Sequence, residues 1–66
     1  MTDFKNFYDK ILTDNTKNII KERVIDKKER QLFILTLYDI VKERYDNFED
    51  NINSINNTII YTLNNV

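Results

Sequence analysis

Sixty-six residues with no cysteine and no histidine make at most one domain, and the disulfide and zinc staples that hold many small domains are closed to it. A lone core of this size buries about 60% of the unfolded surface and rarely supplies more than ~3–5 kcal/mol, which leaves association as the remaining stabilising route. The hydrophobic fraction of 41% excludes a disordered chain despite 32% charged residues, and the net charge of −1 gives no bulk pull toward nucleic acid.

There is also no glycine and no proline, so tight primed hairpin turns are disfavoured and helices joined by Asn and Asp turns are expected. In the first helix Thr2 can cap and Asp3 suits the positive helix end. Phe4, Phe7, Tyr8, Ile11 and Leu12 then follow at i, i+3, i+4, i+7 and i+8, one apolar stripe. Isolated helices shorter than ~12–15 residues are marginal in water, so this one must dock. Thr13-Asp14-Asn15-Thr16 breaks it, and Asp14, Asn15 or Thr16 is expected to cap a second helix running through Lys17 to Ile25. Asp26-Lys27-Lys28-Glu29 has the layout of a capping box and predicts a third helix from Lys27. The second helix running straight through is the competing reading.

Leu32 to Val41 is the densest apolar stretch of the chain. From Ile34 a seam emerges: Ile34, Tyr38, Val41, Tyr45, Phe48, Ile52, Ile55 and Ile59 alternate spacings of four and three, and Thr62 and Val66 continue the register. A sustained seven-residue repeat marks a coiled-coil-like helix, and at ~1.5 Å per residue Ile34 to Val66 would be a rod of roughly 50 Å. Leu32, Phe33, Leu35, Leu37 and Ile40 add a second apolar face over the first part of that rod. This stretch is therefore expected to be buried all round at the centre of the bundle, with the first two helices on one side and another surface on the other. Two features work against a single rod. Asp46-Asn47 and Glu49 to Asn53 are poor helix formers that can break it into two helices packed back on each other. Asn56-Asn57 can turn a small hairpin with Thr58-Ile59-Ile60 as one strand. The expected fold is all-α, a single domain over residues 1–66, with three or four helices in a small bundle and a long heptad-patterned C-terminal helix.

Chemistry is thin. Without histidine, cysteine or glycine, the commonest general base, the best nucleophile and the usual phosphate-cradling loop are absent, so no enzyme and no cofactor are expected. Glu43, Asp46 and Asp50 lie at i, i+3 and i+7. On one helix face they could hold Mg²⁺ or Ca²⁺ weakly, but a solvated acidic face beside Lys42 and Arg44 is the preferred reading, and no metal site is assigned. The charge is unevenly spread. Residues 17–30 carry +3, with Lys17, Lys21, Arg23, Lys27, Lys28 and Arg30 against three acids, while residues 31–66 carry −3. The basic stretch makes a nucleic-acid-associated regulator, contacting phosphates, the alternative function.

The favoured function is a protein–protein interaction module: a small adaptor, inhibitor or assembly factor, a class that includes small viral proteins. Its interface is placed on the seam, at Tyr38, Val41, Tyr45, Phe48, Ile52, Ile55 and Ile59, with the aromatics as anchors. The competing reading makes the same seam the intramolecular core of a closed monomer. A homo-oligomer is expected. Ile52 and Ile59 at d positions disfavour a parallel two-stranded coil, and the basic middle complements the acidic C-terminal third in an antiparallel one. No segment reaches the ~20 apolar residues of a membrane span, and Met1 to Lys5 lacks a signal-peptide layout. A cytoplasmic location is therefore expected, in the host cytoplasm if the protein is viral.

Overall fold

The computed structural model describes residues 4–65, and its helix breaks fall largely where Thr, Asp and Asn side chains take over backbone hydrogen bonds. Helix α1 begins as Phe4–Asn6 and continues as a wider turn, Phe7–Ile11. That turn is closed by the Leu12 amide donating to the Phe7 carbonyl at 3.0 Å. An i→i+5 bond stacks residue i+5 over residue i, and Phe7, Ile11 and Leu12 all reach the interior. Tyr8, expected on the same stripe, lies instead at the rim beneath the Lys17 ammonium, 4.6 Å from its ring centre. The expected contributions of Thr2, Asp3 and Val66 lie outside the described residues.

Helix α2 spans Asp14–Arg23 and is capped by Thr13, whose hydroxyl oxygen accepts from the Thr16 amide at 3.2 Å. The cap is thus one residue earlier than expected, and Thr16 is a buried member of the helix. Val24 is extended, and the Arg30 guanidinium donates to the carbonyls of Val24 (3.1 Å) and Ile25 (3.3 Å). The expected capping box marks a real boundary here. The Asp26 carboxylate accepts from the Glu29 amide at 2.9 Å, and α3 runs Lys27–Arg44.

The rod does not form. Tyr45 is extended, the Asn47 side chain accepts from the Asp50 amide at 3.2 Å, and a 3-10 turn, Glu49–Asn51, leads into α4, Ile52–Asn64. The longest dimension is 29 Å, little more than half the expected ~50 Å. Residues 58–60, the alternative strand, are helical, and no strand occurs among the described residues.

The core joins Phe7 and Ile11 of α1, Leu12 just after it, Ile20 of α2, Ile34, Leu37 and Val41 of α3, Phe48 of the connection, and Ile55, Ile59 and Leu63 of α4. At one end Tyr38 stacks edge-on to Phe4 (5.7 Å between ring centres) and Phe48 (6.3 Å) and tilts against Phe7 at 5.3 Å. Buried Asn56 ties α4 to the α1–α2 corner. Its oxygen accepts from the Thr13 amide (3.0 Å), and its nitrogen donates to the carbonyls of Ile11 (2.8 Å) and Ile52 (2.7 Å). Among the described residues no helix is long and apolar enough to cross a membrane.

Candidate protein-binding face

The seven positions expected to form an interface point inward. Val41, Phe48, Ile55 and Ile59 are buried, and Tyr38, Tyr45 and Ile52 are half-buried and packed against the core. The physical reason is the reversal between Tyr45 and Ile52. It lets α3 and α4 each turn their half of the seam into the one core, so the periodicity that would recruit a partner is satisfied within the chain. Ile52 and Ile59 pack into the chain's own core and are not d positions of a coil in this fold.

The second apolar face, expected to be buried as well, splits instead: Leu37 joins the core, Phe33 is half-buried, and the other three residues stay exposed. α3 is 18 residues long and sends Ile34, Leu37 and Val41 into the core, so residues on the opposite side face solvent. Leu32 is 66% exposed, and Leu35 and Ile40 are each 43% exposed. At about 100° per residue, Lys28, Leu32, Leu35 and Asp39 fall within roughly 60° of one another around the helix. They form one continuous outer stripe. Beside it lies an open cleft of about 580 Å³ lined by Phe4, Lys28, Gln31, Leu32 and Leu35. Ile40 lies further round, at the mouth of a second groove of about 220 Å³ between α3 and α4, lined also by Arg44, Thr58 and Thr62.

Charges frame the stripe. Lys28 stands one turn before Leu32, and Asp39 one turn after Leu35. Asp39 also pairs with Lys42 at 3.5 Å, an exposed i, i+3 contact of the kind that contributes little to stability. The Lys42 ammonium lies 4.7 Å from the Tyr38 ring centre.

The six basic residues expected to contact phosphate are not brought to one surface. Lys17 sits on Tyr8, Arg23 donates to the Asn64 side-chain oxygen at 3.2 Å, and Arg30 is spent on the α2 carbonyls. Of the six, Lys21, Lys27 and Lys28 have no such partner, and they divide between α2 and α3. Glu43, Asp46 and Asp50 likewise lose their shared helix face. They lie on α3, the connection and the 3-10 turn respectively, and no group of three potential metal ligands occurs among the described residues.

Two features escaped the sequence reading. Beside Asn57, Asn56 reads as a turn signal, yet it stands at i+4 from Ile52 and i−3 from Ile59, inside the apolar arc of α4. A polar residue in that arc is the signal of a buried hydrogen-bonding group. The framing of Leu32 and Leu35 by Lys28 and Asp39 was also legible, as the spacing i, i+4, i+7, i+11. Compared with known proteins, the chain matches no family model, no curated sequence and no solved structure.

Proposed function

We propose that this protein acts by binding protein, as a small adaptor, inhibitor or assembly factor, and that its binding face is the outer stripe of α3 rather than the inward-facing seam. The observation that carries this reading is Leu32. A leucine two-thirds exposed in the middle of a long helix is unremarkable alone, but with Leu35 one turn away and Phe4 lining the same cleft it forms a patch. Fully covering a leucine is worth about 1.5–3 kcal/mol, so at their present exposures a partner gains roughly 1–2 kcal/mol over Leu32 and roughly 0.6–1.3 kcal/mol over Leu35. Phosphate contact through residues 17–30 has less support, because three of its six cations already serve the fold.

A photo-crosslinking amino acid placed at position 32, and in a separate protein at position 18 on the polar face of α2, tests the face directly. Both proteins are irradiated in extract of the source cell supplemented with unlabelled chain. Protein adducts at position 32 and none at 18 are expected. Equal labelling at both positions, or none at either, would sink the reading.

A further inference from the structure

We infer that the occupant of the α3 face is a second copy of this chain, lying antiparallel about a two-fold axis that passes between Phe33 and Ile34; this rests on the reading of the outer stripe as a protein-binding face. A two-fold interface must be self-complementary, each residue i meeting a residue j whose own copy meets i in return. The outer stripe of α3 has that property. Lys28, Leu32, Leu35 and Asp39 are spaced four, three and four, so the pair Leu32/Leu35 and the pair Lys28/Asp39 share one midpoint. Lys28 and Asp39 each stand about 8 Å from that midpoint along the helix at ~1.5 Å per residue. Set antiparallel, two copies bring Leu32 onto Leu35 of the other copy, twice. The same placement brings Lys28 opposite Asp39 of the other copy, twice.

The parallel arrangement is penalised by the same residues. It sets Lys28 against Lys28 and Asp39 against Asp39, like charges facing across the contact. Gln31 and Thr36, which flank the leucines, are uncharged and oppose neither arrangement. The i, i+4, i+7, i+11 spacing is also that of alternating a and d positions, and in an antiparallel pair each a position packs against a d position of the mate. The cleft beside Leu32 and Leu35 receives the mate's leucines as knobs. Lys28 and Asp39 are both exposed, and the Asp39–Lys42 contact leaves Asp39 room to accept a second cation.

Size sets the strength. An α3 of 18 residues presents a face about 27 Å long and ~10 Å wide, well short of the ~800 Å² per partner of a standard stable interface. The pair is therefore a weak, concentration-dependent one.

The deciding experiment is sedimentation equilibrium from about 10 μM to 1 mM at low salt, on the wild type, Lys28→Asp, Asp39→Lys and the double variant carrying both changes. Circular dichroism on each sample checks that the fold is kept. Dimerisation of the wild type, at least tenfold weaker in each single variant and restored to within about threefold in the double, is the expected result. A wild type that stays monomeric throughout overturns the proposal, and so does a dimer indifferent to either charge reversal. Position-32 adducts to a different protein alongside a monomeric wild type would remove the second copy as occupant while leaving the α3 face intact. Absence of both would remove both.

Discussion

Helices α3 and α4 carry similar amounts of aliphatic side chain and dispose of it differently. α4 sends Ile55, Ile59 and Leu63 to the core and turns a face of Asn, Ser and Thr outward; its one large exposed apolar residue is Tyr61. Tyr61 has only polar residues one turn away on either side: Asn57, Thr58, Asn64 and Asn65. α3 buries Ile34, Leu37 and Val41 on one face and still exposes Leu32, Leu35 and Ile40 on the others. One exposed aromatic is ordinary surface. A second apolar side chain one turn from the first makes a patch, and patches are what partners cover. The ends differ too. α3 is started by a side-chain cap from Asp26, whereas Asn51 gives α4 no such bond. By itself α3 is the better-defined helix, and α4 depends on what it packs against.

Three substitutions break or sharpen that contrast. Ile55→Ala empties the fully buried centre of the α4 face, at about 2–5 kcal/mol for an Ile→Ala core truncation. Against the ~3–5 kcal/mol available to so small a core, that unfolds a large part of the population at 25 °C, measured by far-UV circular dichroism and urea titration. A folded, cooperative Ile55→Ala would mean α4 is not held by its buried face. Asn56→Ala removes four hydrogen bonds and leaves the buried Ile11 carbonyl unpaired, costing about 1–3 kcal/mol. The loss is local, so amide exchange should quicken over residues 7–13 before it quickens in α3. Uniform quickening would contradict the assignment of Asn56 as the tie between α4 and the α1–α2 corner. Leu32→Lys is the smallest. A surface change away from caps and core lies within about ±0.5 kcal/mol, so the urea midpoint should stay put; a fall of more than ~1 kcal/mol would place Leu32 in the monomer's own core.

Local signals in the sequence foretold the all-α fold, the docked N-terminal stripe and the helix boundary at Asp26, but not that the second apolar face of α3 would stay largely exposed. Each depends on residues a few positions apart. What periodicity could not specify was the direction of the seam. Ile34 to Ile59 repeat in the same register whether they face a second chain or their own, and the choice rests on Asn47 and Asn51 closing a turn with no glycine or proline to announce it. The basic stretch was plain as charge. Its partners were not, because Tyr8, Asn64 and the Val24 carbonyl lie on other elements or act through the backbone.

The Asn56 tie also bears on how the chain behaves while it is being made. Asn56 is polymerised 43 residues after Thr13 and 45 after Ile11, which at about 5–20 residues per second is a delay of roughly 2–9 s. Helices and hydrophobic clusters form in microseconds, so the wait for the ribosome exceeds the folding step by several orders of magnitude. Through that interval Phe7, Ile11 and Leu12 lack the buried surface of α4 that closes over them in the finished molecule. The N-terminal stripe thus waits without that cover until Asn56 has been added, and slow codons between Asn47 and Asn56 would lengthen the wait.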